Sequence, residues 1–204
     1  VKPQPYVRFA GMRGIVLLIL TSLPASLLGL LLHSTIKTYL FRPVTVLGAL
    51  VVGALVMIFV ERRKFKPSYI TLDDMTPKLA LGIGCFQCLA LWPGFSRSAS
   101  TIMGGMLVGL NRPTATGFSF FLSIPTLGAA SLYSLMKDMQ GVGEHGLLNI
   151  GIGLFTSFIV SLLAIGWLLR YVSKNSFRGF AVYRIVAGIV ILALTYSGFL
   201  QVSA

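Results

Sequence analysis

Hydrophobic and polar positions fall into long blocks along this chain. Nearly uninterrupted apolar runs occupy 14–32, 44–60, 118–136, 147–169 and 181–200. Each is close to the roughly 17–25 residues a helix needs to cross a bilayer, so each is predicted to be a spanning helix. The stretch between the second and third runs differs. Leu79 to Leu91 and Ile102 to Leu110 are apolar and uncharged, but Trp92-Pro93-Gly94-Phe95-Ser96-Arg97-Ser98-Ala99-Ser100-Thr101 divides them. Neither half is long enough to cross alone, and Pro93-Gly94 interrupts helical backbone. The spacing predicts a re-entrant hairpin over 79–110, whose irregular turn survives at membrane depth only where protein buries it or water reaches it.

Composition agrees with this pattern. Hydrophobic residues make up 55% and charged residues 11%, where a soluble domain carries about a quarter charged residues. The expected fold class is an all-α integral membrane protein with about five transmembrane helices and one re-entrant hairpin. Residues 1–204 form a single polytopic membrane domain, and the longest loop, Glu61 to Lys78, is too short to fold alone. The net charge of +12 raises the question of nucleic acid. Its distribution answers no, because the basic residues sit in short loops beside the apolar runs, as the positive-inside rule requires. With a cytoplasmic N-terminus, one side collects Lys2, Arg8, Arg13, Arg62, Arg63, Lys64, Lys66, Lys78, Arg112, Arg170, Lys174, Arg178 and Arg184, and the other only Lys37, Arg42 and Lys137.

Arg97 is the basic residue that this pattern does not absorb. A charge at bilayer depth costs roughly 2.5–3.5 kcal/mol on insertion scales and marks a cavity or site. Around it Ser96, Ser98, Ser100 and Thr101 offer neutral hydroxyls, and the guanidinium offers a planar fork that matches phosphate oxygens. A half-helix starting near Ser98 to Thr101 would aim backbone amides at the same point. The residue types suit a phosphate or diphosphate; the alternative is an arginine that ties the hairpin to backbone carbonyls.

Other candidates carry less. Cys85 and Cys88 share a helix face but lack further ligands, so they read as packing. Gln87, between them, needs a polar partner, either at the hairpin tip or on a neighbouring helix. The acids Glu61, Asp73, Asp74, Asp138 and Glu144 and the histidines His33 and His145 all fall in predicted loops, which places no carboxylate or imidazole at membrane depth. Asp73-Asp74 before Thr76-Pro77 reads as turn and helix-start chemistry. Pro24 and Pro125 are candidate kinks, Gly105-x-x-x-Gly109 and Ala25-x-x-x-Gly29 read as close helix packing, and Tyr39, Trp167, Tyr171 and Tyr183 suit an interfacial belt. There is no phosphate-cradling Gly-x-x-x-x-Gly-Lys-Ser/Thr loop, and no cysteine stands six residues before Arg97.

The run Gly84-Cys85-Phe86-Gln87-Cys88-Leu89-Ala90-Leu91-Trp92-Pro93-Gly94-Phe95-Ser96-Arg97-Ser98 resembles the second signature of the undecaprenyl-diphosphatase family, also called bacitracin-resistance proteins. Leu72-Asp73-Asp74-Met75-Thr76, Phe118-Ser119-Phe120 and Ile124-Pro125 are similar as well. The resemblance implies a multi-pass enzyme of the bacterial plasma membrane with inverted repeats, each holding a re-entrant hairpin, and a site opening to the outer face. It implies hydrolysis of undecaprenyl diphosphate to the monophosphate and phosphate, which recycles the lipid carrier for cell-wall synthesis and confers bacitracin resistance. By position Arg97 matches the arginine that binds the diphosphate. Ser96 and Thr101 match the hydroxyls beside it as catalytic residues, and Ser98 and Gln87 are taken as substrate-binding.

The family's first signature, ending Pro-Val-Ser-Ser-Thr-Gly-His, is not in this sequence. The expectation is therefore that the ligands of a divalent cation, Mg2+ or Ca2+, lie in an N-terminal segment outside these 204 residues, with no metal ligand in this chain and no activity from it alone. The partners implied are the isoprenyl diphosphate and the bilayer, with a homodimer left open. Two other readings stay in view: a transporter or flippase of an anionic isoprenyl lipid, since broken helices near the midplane also build transporters, and a membrane subunit whose hairpin only packs.

Overall fold

The computed structural model describes residues 9–63, 66–138 and 144–197, without the side chains of residues 138, 144, 145, 147, 173 and 196. Lys2, Arg8 and Lys64 of the basic set, the side chains of Asp138, Glu144 and His145, and the end of the run 181–200 lie outside the described residues. Seven main helices follow one another: α1 Met12–Leu31, α2 Pro43–Arg62, α3 Pro77–Gln87, α4 Arg97–Leu107, α5 Arg112–Asp138, α6 Glu144–Lys174 and α7 Arg178–Tyr196. Among the described residues there is no strand; one isolated bridge pairs Tyr69 with Leu110. Five helices, α1, α2, α5, α6 and α7, are long and apolar enough to cross a membrane.

The helices extend past the predicted apolar runs because capping, rather than hydrophobicity, decides where they start. Pro43 opens α2 behind Arg42. Thr76 caps α3 by accepting from the Leu79 amide, with Pro77 in the first turn. Asn111 Oδ1 accepts from the Thr114 amide at 2.8 Å ahead of α5. Thr76 and Asn111 each satisfy an amide that the first turn leaves without an intrahelical partner, and Pro43 has no N–H to satisfy. Glu61, expected in a loop, falls in the last turn of α2.

Both ends of the hairpin return to one end of the bundle. The amides of Ser68 and Tyr69 donate to the carbonyl of Gly109, and the Asn111 amide donates to the carbonyl of Tyr69. The chain before α3 thus lies beside the chain after α4, and at eleven residues each the two helices are too short to cross a membrane, as a re-entrant hairpin requires. Other bonds gather the helix ends at the same place. Arg13 donates to the carbonyl of Met75 at 2.8 Å, and the Phe9 amide to Asp73. Arg112 reaches Glu61 at 2.8 Å and the carbonyl of Asn175 at 3.1 Å. This end carries most of the basic residues and is called the basic end below.

Packing centres on the hairpin: α1 lies against α3, α3 against α4, α4 against α5, and α2 against α7. The small residues act as the spacing suggested, with one difference. A Cβ on Gly105 would stand 2.9 Å from that of Ala115, so Gly105 brings α4 onto α5; Gly109 lies beyond α4 at φ 102°, where it turns the chain. Gly84 is tighter still, since its Cβ would collide with the Thr21 carbonyl and stand 3.1 Å from the Pro24 ring. Pro24 and Pro125 both lie inside helices. The most apolar stretch of α6 buries no residue.

Two predictions follow from this packing. Gly84→Leu forces α1 and α3 apart and lowers stability by about 1–3 kcal/mol or more, read as a fall in the denaturation midpoint of the protein in detergent. Asp74 accepts bonds from the Thr71 amide and hydroxyl and from the Ile70 amide, and those from Thr71 above all hold its carboxyl below the usual carboxylate value against the opposing effect of burial. A carboxyl depressed in the folded state stabilises above its unfolded value, and that contribution is lost as pH falls through the folded one. The melting temperature should fall on acidification below the ordinary carboxylate range, less steeply in Asp74→Asn.

Candidate active site

The hairpin turn is where the backbone leaves helical geometry. After α3 a 3-10 turn runs from Cys88 to Leu91, and Trp92 adopts an extended conformation. Gly94 sits at φ 94°, and a Cβ there would come within 2.5 Å of the Val46 carbonyl. Only glycine fits this approach to α2. Ser96 also has positive φ, 80°, and among the described residues it is the non-glycine residue that does so. A side chain there stores of order 1–3 kcal/mol of strain, of the kind found at functional sites. Ser96 is nonetheless the N-cap of α4, its Oγ accepting from the Ala99 amide at 3.3 Å. The half-helix therefore begins at Arg97, one residue ahead of the expected range Ser98 to Thr101.

Arg97 is half-buried, and its Nη1 donates to Thr126 Oγ1 at 3.2 Å. Thr126 in turn donates to the Leu122 carbonyl, one turn back, beside Pro125. The guanidinium is not tied to the hairpin's own carbonyls. It lines a cleft of about 460 Å³ together with Ser96, Ser98 and Ser119. Ser96 and Ser98 are exposed, with their hydroxyls 3.3 Å apart. The first amides of α4 have no carbonyl one turn back, so the guanidinium, two hydroxyls and a helix N-terminus meet at one place, an arrangement suited to an anion. Among the described residues, no acidic side chain lines the cleft.

The other expected site residues lie elsewhere. Thr101 is buried in the α4–α5 interface, hydrogen bonded to Ser119 at 2.7 Å and to the carbonyls of Arg97 and Ser98. It does not line the cleft; Ser119 does, one hydrogen bond in front of it. Ser100 is buried and donates to the Ser96 carbonyl. Gln87 is 6% exposed and does not line the cleft, and among the described residues its Oε1 has no hydrogen-bond partner. Cys85 and Cys88 are free thiols. Among the described residues, no group of three or more His, Cys, Asp or Glu comes together to hold a metal ion.

The arginine that does tie the hairpin to carbonyls is Arg184, counted above with the basic loops. It is 9% exposed, inside α7. Its Nη1 donates to the Phe95 carbonyl at 2.8 Å, and its Nη2 to the Gly94 carbonyl at 2.7 Å and the Ala49 carbonyl at 3.4 Å. Gly53 leaves room for it: a Cβ there would stand 2.5 Å from Nη2. A signal was present, since Arg184 lies within the apolar run 181–200 and an arginine inside a predicted span needs a buried partner.

Comparison with known proteins decides the family. The model of the bacitracin resistance protein BacA matches residues 3–190. The chain belongs to the BacA family. Its BacA relatives include proteins named undecaprenyl-diphosphatase. One from Desulfovibrio desulfuricans is 59% identical over 91% of this chain and 70% of its own length. One from Nitratidesulfovibrio vulgaris is 54% identical over 96% and 74%, and one from Deinococcus radiodurans 53% over 90% and 67%.

Within this BacA chain, Arg184→Met strands the carbonyls of Gly94 and Phe95 without a charged donor. Each buried acceptor so stranded costs about 1–3 kcal/mol, so the denaturation midpoint should fall by more than for Arg97→Met, whose side chain holds no carbonyl. Chemical denaturation of both variants in detergent makes the comparison.

Proposed function

We propose that this chain carries the diphosphate-binding half-site of an undecaprenyl-diphosphatase, a membrane hydrolase that converts undecaprenyl diphosphate to undecaprenyl phosphate and phosphate and so confers bacitracin resistance. The observation that carries this reading is the placement of Arg97: a half-buried guanidinium at the tip of a re-entrant hairpin, beside exposed Ser96 and Ser98 and facing a cleft without an acidic lining residue. Family membership and the names of the relatives agree with it and favour hydrolysis over transport.

In this reading Arg97 neutralises charge on the phosphoryl oxygens, as arginines do in phosphoryl-transfer transition states. Ser96 and Ser98 bind the diphosphate through their hydroxyls and the first amides of α4. Ser119 stands where a hydroxyl beside Arg97 is needed, and Thr101 positions it. The described residues do not assemble a site for a divalent cation, so no step is assigned to one. The plasma membrane is the location proposed, with the basic end in the cytoplasm, as the positive-inside rule orients it.

The test is phosphate release from undecaprenyl diphosphate in vesicles. It uses these 204 residues and the same residues with whatever coding sequence precedes Val1 included. Release is expected from the longer protein, with a drop of 100-fold or more in Arg97→Ala. Arg97→Lys should lose most of the activity too, because lysine lacks the bidentate fork. If Arg97→Lys keeps most of it, the fork is not what the reaction uses. Binding without release would favour the transporter.

A further inference from the structure

The corner where α6 turns into α7 carries a set of side chains that the cleft does not use. Trp167, Arg170, Tyr171 and Lys174 fall on one face of α6, since residues three, four and seven apart share a face. Arg178 opens α7 just across the turn. Trp167, Arg170, Lys174 and Arg178 are exposed, and Tyr171 is partly buried. The turn that presents them is fixed from both sides. Asn175 donates from Nδ2 to the Tyr171 carbonyl at 3.1 Å, Arg112 donates to the Asn175 carbonyl, and Phe177 is buried. The corner stands at the level where a membrane would end, because the apolar span of α6 stops at Val172 and that of α7 starts at Arg178. Little offsets its charge: residues 145–204 contain no acid, and Glu61, at the same end, is buried against Arg112.

We propose that this corner is a binding site for an anionic glycerophospholipid, whose headgroup phosphate sits on Lys174 and Arg178. Basic side chains gathered between helix ends at a membrane surface recognise anionic headgroups. Arg178 offers a planar fork to phosphate oxygens, and Lys174 a mobile point charge. Trp167 stacks on Tyr171 at 5.4 Å, and such rings settle at headgroup level, with the apolar body toward the chains and the polar edge toward water. The most apolar stretch of α6 buries nothing, so the acyl chains have an open helix face to follow. The lipid also has two helices to join. α6 packs mainly on α5 and meets α7 through rings, Tyr171 edge to face with Phe180 at 6.0 Å. A headgroup held by Lys174 on one helix and Arg178 on the other ties them together. It thereby steadies the helix that brings Arg184 to the hairpin turn. None of the five corner residues lines the cleft, so the site stands whatever reaction takes place at Arg97.

The test uses the protein with whatever coding sequence precedes Val1 included, purified in detergent, and reads its thermal midpoint as lipid is added. Phosphatidylglycerol at about ten times its Kd is expected to raise the midpoint by roughly 3–6 °C, and zwitterionic phosphatidylcholine by under about 1 °C. Lys174→Gln with Arg178→Gln should remove most of the rise. Arg62→Gln with Arg63→Gln takes the same charge from the same end and should keep it. An equal loss in the two pairs means that any basic surface attracts the lipid, and it overturns the proposal. So does a rise of the same size from phosphatidylcholine, or from glycerol phosphate, which has no acyl chains. A second measurement needs no variant, and so survives a corner pair that does not fold. Phosphatidylglycerol with a photoreactive group beside its phosphate is crosslinked to the unsubstituted protein in vesicles, and the labelled peptides are mapped. Label concentrated on residues 167–178 supports the site. Label spread evenly over the basic end, or centred on the end of α2, overturns it.

Discussion

A hairpin that turns inside a membrane exposes carbonyls that nothing local can satisfy, and the structure is organised around satisfying them. The turn at Gly94 and Phe95 has left α3 and not yet entered α4, so its oxygens have no helical partner. Water is scarce at that depth, and an unmet acceptor costs several kcal/mol in hydrocarbon. Arg184 meets both from α7 and reaches Ala49 on α2 as well. The tight α2–α7 pairing, the missing side chains at Gly53 and Gly94 and the positive φ of Ser96 all follow from bringing that guanidinium and that turn together.

Two arginines thus stand at the tip in opposite roles. Arg184 spends its donors on the protein, while Arg97 has Thr126 as its hydrogen-bond partner and lines the cleft. Separating the roles matters chemically. Arg184 borders the same cleft, but its Nη donors are held by three carbonyls, whereas Arg97 has donors left for a phosphoryl group.

The blocks of apolar residues made the five spanning helices legible, because length and hydrophobicity are enough for that, and Pro93-Gly94 marked the break. Helix starts were less evenly legible: Thr76-Pro77 marked the start of α3, but Asn111 caps α5 among residues that carry no apolar signal. At the site, Arg97, Ser96 and Ser98 could be found because they cluster in sequence. Ser119, from α5, takes the place of Thr101 at the cleft, a pairing of two helices that spacing along one segment does not encode. Arg184 was hidden by its neighbours: so near the basic turn before α7, it reads as one more loop charge until the helix that carries it is seen to be buried against the hairpin.

The way the hairpin is anchored sets a depth. Its open ends are bonded to the 68–70 segment at the basic end, and α4 contributes eleven residues between that end and the tip. At about 1.5 Å per residue this is roughly 16 Å, close to half of a hydrocarbon core about 30 Å thick. The hairpin is a ruler, and it sets how far Arg97 stands from the basic end. A headgroup held at that distance from the basic end depends on Arg97 and the tip hydroxyls to replace the water it leaves behind.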